Sequence, residues 1–499
     1  MIIDRIYEWA RIQPSKPALI HNGVVNDYIT FARAIEAFRK FLERHDLPAG
    51  TIAVVLVNNL ADAWALVPAL RSLGLTTIQV KSLAQAKALG IKNVSCVVTI
   101  APPRNFRSAF GLLTKLNIPC AEDLQTLRAK LIIISRRDLA ATPLHDLSLS
   151  PQSNRPSGGH IFFTSGTTGA FKKLMWDSDR EEARISARSH ANGFDKSIVA
   201  HLMAYEQQSG IGWKIPLSVW QAGGCVVFDQ RPEWCQRFFD HAITSAFAHP
   251  SSFRELVDAN NQEPDGCEIL LSSGFVGSES IAKAIAKFGN HLSNFYGSTE
   301  LITPPLISRI RSQDDALWLE PTADRTVQII DDSGHECSPG QEGDLRILTT
   351  ELDWQCYLDD EEATSKVFRD GFFYPGDRAV RHADGRIRIL GRVADVLNVQ
   401  GVKIAVGPIE QRIRQYLEVD EVCVFSGLNA TGQDELVIVI KSDNEPPKKK
   451  LDSVSREFRK FDNVRFSVLK EFPRTETGLE KVRRAELRKI VFSEPGNKC

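Results

Sequence analysis

The sequence predicts an α/β protein: a large N-terminal part made of α/β subdomains plus a β-rich subdomain, followed by a small α+β domain. Three observations predict it. Short apolar, β-rich runs alternate with segments of helical spacing early in the chain. From Thr326 to Leu348 the pattern changes to short strands between tight turns, Asp332-Ser-Gly334 and Pro339-Gly340. Near Gly391-Arg-Val-Ala-Asp395 it changes again, to about a hundred residues of mixed helix and strand, enough for a separate domain. At 499 residues the chain exceeds what one core holds, since domains run to roughly 100–200 residues.

Taken in order, Tyr28 to His45 carries apolar residues at helical spacing. Gly50 to Asn58 encloses a short β-branched run closed by Asn-Asn, a buried strand. Leu60 to Leu73 reads as a helix stopped by Gly74, Thr76 to Val80 as a strand, Ala84 to Leu89 as a helix and Val94 to Ile100 as a strand. This alternation calls for a largely parallel sheet. Ser148 to Gly159, rich in Ser, Pro and Gly, reads as a linker or exposed loop. Further strands are expected at Cys225 to Asp229, Ala246 to His249 and Glu268 to Ser272. In the last part a helix (Val406 to Tyr416) precedes two strands (Glu421 to Phe425, Glu435 to Ile440). A helix (Leu451 to Phe461), a strand (Val464 to Leu469) and a final helix (Leu479 to Val491) follow.

Composition narrows the function. Sixty-one basic and 62 acidic residues leave a formal charge of -1, so nothing in the whole-chain balance calls for nucleic acid or an anionic membrane as partner. The nine cysteines are scattered, with no Cys-x-x-Cys pair, as in a protein with reduced thiols. No zinc-ligand spacing and no His-Glu-x-x-His occurs. Charges interrupt the first twenty residues before an apolar segment forms, and no run nears the roughly 18–20 apolar residues of a membrane span. The expected setting is cytoplasmic.

The most informative stretch is Ile161-Phe-Phe-Thr-Ser-Gly-Thr-Thr-Gly169, an apolar strand running into a Ser/Thr/Gly turn. Small residues let the backbone approach a ligand, and successive N–H groups can form an anion nest. The hydroxyls of Thr164, Ser165, Thr167 and Thr168 add donors, Gly166 and Gly169 add backbone freedom, and Lys172 adds charge. Gly169 is followed by Ala170-Phe171-Lys172, so the spacing is not that of a Gly-Lys-Ser/Thr nucleotide loop.

Thr164-Ser-Gly-Thr-Thr-Gly-Ala-Phe-Lys172 resembles the phosphate loop of the adenylate-forming enzymes, the superfamily of acyl-CoA synthetases, nonribosomal peptide synthetase adenylation domains and firefly luciferase. Four further motifs resemble theirs in the same order. Asn294-Phe-Tyr-Gly-Ser-Thr-Glu300 is similar to the adenine and magnesium motif, and Gly371-Phe-Phe-Tyr-Pro-Gly-Asp377 to the ribose motif. Gly391-Arg-Val-Ala-Asp-Val-Leu-Asn-Val-Gln-Gly401 is similar to the hinge motif, and Pro473-Arg-Thr-Glu-Thr-Gly-Leu-Glu-Lys481 to the C-terminal lysine motif.

The resemblance implies ATP as co-substrate, Mg²⁺ as cofactor, and activation of a small-molecule carboxylic acid as its acyl-adenylate. Transfer to CoA or to the pantetheine of an acyl or peptidyl carrier protein would follow. It implies that Asn294, Phe295, Tyr296, Gly297 and Ser298 surround adenine and phosphate, that Thr299 donates to a phosphate, and that Glu300 ligates Mg²⁺. Asp377 would hold the ribose and Arg392 the ribose or phosphate. Gly274 and Phe275 would flank adenine, Ser273 the acyl pocket, and Lys481 would bridge carboxylate and α-phosphate. Residues 1–392 would form the N-terminal domain, 393–395 the hinge and 396–499 a mobile domain, whose rotation replaces Lys481 with Gly401 at a thiol tunnel. The sequence departs from the family pattern at Phe171, at Ala394 in the hinge, and at Leu479 and Glu480, two extra residues before Lys481.

His201-Leu-Met-Ala-Tyr-Glu-Gln-Gln-Ser209 stands where the family builds its acyl pocket. Tyr205-Glu206 matches neither the aromatic-His of aryl-CoA ligases nor the Phe-Asp of amino-acid-activating domains. Glu206 either pairs with an ammonium group of the substrate or is a partly exposed carboxylate that caps a helix or pairs with an arginine. Its polar neighbours disfavour a long alkyl chain. The alternatives are a stand-alone amino-acid adenylation enzyme loading a carrier protein, a luciferase-like oxygenase, and an adenylate-binding relic.

Overall fold

The computed structural model describes residues 1–101, 121–140, 157–165, 171–203, 205–260, 266–272, 276, 278–393, 396–399, 402–428, 434–458, 463–474 and 482–493. The chain divides into two compact units. One comprises Met1–Phe247, Ser298–Thr303 and Thr350–Ser365, the other Ala248–Gly297, Pro304–Thr349 and Lys366–Cys499.

In the first unit, one sheet runs in the order Lys130–Ile134, Val94–Ile100, Ile52–Val55, Thr76–Gln79, His160–Ser165, Phe171–Trp176. Every pair is parallel except the last. The predicted strands at Val54, Ile78 and Val97 are buried on both sides, as a helix-covered parallel sheet requires. Its strand His160–Ser165 ends with Thr164 and Ser165 at a carboxyl end, where open α/β sheets place their ligands. A second set of strands in this unit orders the strand that begins at Ser245, then Val199–His201, Cys225–Phe228, Pro17–His21 and Val24–Asp27.

Helices Leu60–Ser72 and Gly210–Ala222 are apolar on nearly every face and are buried accordingly. Trp64 stacks on Trp213 at 5.2 Å, and Trp213 on His160 at 3.7 Å. Burial, reinforced by nearby Arg71, pushes the His160 pKa far down, so this ring is neutral. Arg71 and Glu181 form a fully buried pair at 2.5 Å. Trp176 Nε1 and the Ile2 N–H also donate to Glu181. Burial pushes the Glu181 carboxyl up, but Arg71 and these hydrogen bonds outweigh it and hold it below its ordinary value.

The second unit holds Glu268–Ser272 parallel to Leu292–Tyr296, continued antiparallel by Leu306–Arg309 and Glu320–Pro321. The β-rich subdomain is a six-stranded sheet around Glu342–Leu348 and Asp377–Arg381. The last part is an antiparallel pair, Val396–Val399 with Val402–Ala405, and a three-stranded sheet of Glu421–Leu428, Asp434–Lys441 and Val464–Leu469. Strand alternation sorts that sheet's faces. Val422 and Val424 pack with helix Val406–Leu417, while Cys423 and Phe425 pack with Leu487 and Val491 of the final helix.

The final helix runs Arg484–Ser493, not from Leu479. Val482 pairs with Arg474 as a β-bridge, and the Arg483 N–H donates to the Pro473 carbonyl, so both residues are claimed before the helix begins. The helix expected from Leu451 starts earlier, at Lys448, behind Pro447.

Candidate active site

Strand His160–Ser165 pairs antiparallel with Phe171–Trp176, setting Thr164 opposite Lys172 and Ser165 opposite Phe171. Gly166, Thr167, Thr168 and Gly169 lie outside the described residues. Lys172 holds its ammonium 4.9 Å from the centre of the Tyr357 ring, a cation–π contact. The Tyr357 hydroxyl donates to Glu300 Oε1 at 2.5 Å, and the Ser298 hydroxyl donates to Glu300 Oε2. The first unit thus brings the loop's cation within one aromatic ring of the carboxylate that the motif singles out. Glu300 is only 6% exposed.

The main chain of this turn is fixed from beneath. Lys214 Nζ donates to the Thr299 carbonyl at 2.8 Å and to the Leu301 carbonyl at 2.7 Å. The Glu300 carbonyl accepts from the Trp354 N–H at 3.1 Å. Ile302 donates to Asp353 and accepts from Arg188. A Cβ on Gly210 would lie 2.9 Å from Cγ2 of Thr299, so glycine there lets the turn settle against the helix start. Burial, reinforced by Arg188, pushes the Lys214 pKa well down, while Glu300 and Asp353 pull it back.

Tyr357, Trp354, Gly210 and Lys214 escaped the sequence reading. Lys214 carried a usable signal. It is the one charged residue in Gly-Ile-Gly-Trp-Lys-Ile-Pro-Leu-Ser-Val-Trp-Gln-Ala, and a lysine in an all-round apolar helix needs buried partners.

Around the expected acyl pocket, Tyr205 is buried and Glu206 pairs with Lys81 at 3.0 Å and accepts from Gln208 at 2.5 Å. The helix cap is Ser209, whose hydroxyl receives the Gly212 N–H at 3.0 Å. Glu206 thus neither caps the helix nor, among the described residues, pairs with an arginine: its partner is Lys81. Gln207 is fully buried, and among the described residues neither of its amide atoms finds a partner. His201 accepts the Met203 N–H at Nδ1, and burial drives its pKa down to about 3, so it acts as a neutral acceptor. Ser273, Gly274 and Phe275 lie outside the described residues.

In the second unit, Asp377 and Arg392 face each other in the β-rich sheet. Asp377 Oδ1 meets Arg392 Nε at 3.2 Å, and Oδ2 accepts the Tyr296 hydroxyl at 2.5 Å. Arg392 also donates to the Pro375 carbonyl. Three candidate residues from separate motifs are thereby joined. Asn294 donates from Nδ2 to the Ala316 carbonyl at 2.9 Å, leaving its amide oxygen as the side that can receive an amino group. Phe295 sits in the core. A Cβ on Gly297 would come no nearer than 3.8 Å to a neighbour, so packing does not demand glycine there. Gly401 and Lys481 lie outside the described residues, as do Ala394, Leu479 and Glu480. Among the described residues no group of three or more His, Cys, Asp or Glu side chains could hold a metal, and no helix is long and apolar enough to cross a membrane.

Comparison with known proteins bears on the fold and the family. Human acyl-coenzyme A synthetase ACSM2B, mitochondrial, is 25% identical over 285 residues, 53% of this chain and 48% of the relative. The chain thus spans about half the length of that relative. Among solved structures, O-succinylbenzoate coenzyme A synthetase from Bacillus subtilis, in complex with ATP and magnesium ion, superposes with a TM-score of 0.78 at 18% identity, covering 97% of this chain and 99% of that one. The anthranilate CoA ligase AuaEII, in complex with anthranoyl-AMP, gives 0.79 at 15% identity, covering 98% and 96%. These two likenesses show the fold. Residues 6–351 match the family profile described as AMP-binding enzyme, and with that match over most of its length, on this fold and with these motifs, the chain belongs to the adenylate-forming, AMP-binding enzyme family.

Proposed function

We propose that the chain is an AMP-forming carboxylate–thiol ligase. The observation that supports this most is the Lys172–Tyr357–Glu300 network, which gathers a cation for phosphate and a hard oxygen ligand in one place. In the first half-reaction, an oxygen of the substrate carboxylate bonds to the α-phosphorus of ATP as the bond to pyrophosphate breaks. In the second, a thiol sulfur bonds to the acyl carbon, AMP leaves and the thiol proton passes to solvent. The thiol belongs to CoA or a carrier-protein pantetheine.

Roles follow within each unit. In the first, Thr164, Ser165, Gly166, Thr167, Thr168, Gly169 and Lys172 hold the phosphates, with Ser298 and Thr299. In the second, Asn294, Phe295, Tyr296, Gly297, Gly274 and Phe275 receive adenine, and Asp377 and Arg392 the ribose. Lys481 offsets the repulsion between carboxylate and α-phosphate. Residues 393–395 act as the hinge on which 396–499 turns relative to 1–392, bringing Gly401 to the thiol. Magnesium suits Glu300: each carboxylate oxygen accepts one hydrogen bond and keeps lone-pair capacity, and Mg²⁺ takes one or two carboxylates with substrate phosphates and water. Bound there, the ion would neutralise phosphate charge. A cytoplasmic setting belongs to the same reading.

The acid is polar and compact, because Ser273, Tyr205, Glu206 and the unpartnered Gln207 make a poor lining for a long alkyl chain. The deciding experiment is ATP–pyrophosphate exchange over a panel of carboxylic acids. Exchange is expected with short hydroxy-, amino- or aryl-substituted acids, and a panel without exchange at any acid ends the ligase reading.

A narrower prediction concerns Glu206. Glu206→Gln is expected to raise KM for amino-bearing acids about fivefold, the scale of a partly solvated ion pair of roughly 1 kcal/mol, and to leave simple acids unchanged. Equal KM values for both classes would remove Glu206 from substrate recognition.

A further inference from the structure

We infer that Lys214 is a positioning residue that holds the Ser298–Leu301 turn in the form able to take magnesium and the ATP phosphates; this rests on the reading of that turn proposed above. Lys214 is 3% exposed, and a buried amine needs partners for its N–H donors, the more so where it carries charge. Its pairing here is with main chain. One cation draws the Thr299 and Leu301 carbonyls to a single point, at 2.8 and 2.7 Å. Glu300 lies between them, its own carbonyl taken by Trp354. Lys214 also lies over the Trp354 ring, at 4.9 Å. The turn is bound to the helix Gly210–Ala222 through this side chain, which alone among the described residues serves the Thr299 and Leu301 carbonyls, while Trp354, Asp353 and Arg188 hold its neighbours.

The rest of the turn points to the same conclusion. With its carbonyls engaged below, the turn keeps the Ser298 hydroxyl on the Glu300 carboxylate and Thr299 against Gly210. Ser298 and Tyr357 orient that carboxylate. A ligand site gains most from groups whose supports are locked by buried hydrogen bonds on a rigid element. An apolar side chain at 214 would leave two buried carbonyls without donors, and the turn would relax to recover them. The charged groups that face Lys214 are Glu300, Asp353, Arg188 and Arg184.

The test separates positioning from general support. ATP binding to wild type and Lys214→Met is measured by calorimetry with and without saturating Mg²⁺, together with AMP binding in the absence of metal and thermal unfolding. The expected result is a magnesium-dependent ATP affinity about 10-fold weaker in the variant, the effect of one charge-assisted bond, with metal-free AMP affinity within twofold of wild type. Equal losses for ATP and AMP, or no loss in a folded variant, would overturn the inference. Should Lys214→Met fail to fold, Lys214→Gln decides the matter, since it keeps a polar N–H donor in the helix but loses the reach to both carbonyls. The same selective loss supports the positioning role, and unchanged magnesium-ATP affinity overturns it. Wild type that binds magnesium-ATP but shows no exchange on the acid panel ends the ligase reading alone, and wild type without magnesium-dependent ATP binding ends both.

Discussion

Lys481→Ala is expected to slow ATP–pyrophosphate exchange by about 10²–10³-fold, roughly 3–4 kcal/mol of transition-state stabilisation. Two anions approach in the first half-reaction, and an ammonium between them offsets their repulsion as charge shifts. Thioester formation from presynthesised acyl-adenylate should barely change if, as proposed, the C-terminal domain turns and carries Lys481 away for that step. Gly401→Leu should do the reverse, sparing exchange and blocking the thiol, since a bulky side chain fills the path of the pantetheine arm. Exchange rate and thioester yield are measured on both variants. Both steps falling together in both variants would mean a static site. Exchange at the wild-type rate in Lys481→Ala would place the bridging cation elsewhere, with Lys470 and Lys489 next to be tested. Arg474 pairs with Val482 and with Glu421 at 2.5 Å, and Arg484 binds Glu410 at 2.8 Å.

Asp377→Ala is expected to weaken ATP binding by about 2–4 kcal/mol, roughly 30- to 1000-fold, through loss of two charge-assisted hydrogen bonds to the ribose. The fold should survive. Arg392 is 44% exposed at its side chain and can turn to water. Tyr296→Phe makes the informative companion. It removes the 2.5 Å bond to Asp377 and keeps the aromatic face, so a loss below about tenfold is expected if the ring's contact with adenine matters more than its hydroxyl. Binding is read by calorimetry and folding by thermal unfolding. Unchanged affinity in folded Asp377→Ala would remove that carboxylate from the site.

Much of the fold was legible in local pattern. Strands such as Val94–Ile100 and Val464–Leu469, and helices such as Leu60–Ser72, announce themselves through apolar period and stop signals. Some signals went unread. Ile2, Ile3, Ile6, Tyr7 and Ala10 lie on one helical face of Ile2–Ile12. Asn22-Gly23, both at positive φ, joins strands Pro17–His21 and Val24–Asp27, and Asn-Gly is a strong short-range hairpin signal. The final helix was placed too early because Val482 and Arg483 have helix-compatible side chains, while bonds to Arg474 and Pro473 hold them out of it.

By itself the sequence determined the fold class, the order of five motifs and the family, because strand period, turn chemistry and motif spacing are local properties of the chain. Only the tertiary structure decided what those residues touch. Glu300 meets Tyr357 across 57 residues, Lys214 reaches Thr299 across 85 and Leu301 across 87, and Glu206 is claimed by Lys81. No local pattern encodes such pairs. A buried charge states that it must have a partner, since leaving it without one costs more than the fold can spare, but which carbonyl or carboxylate supplies that partner depends on which elements pack together.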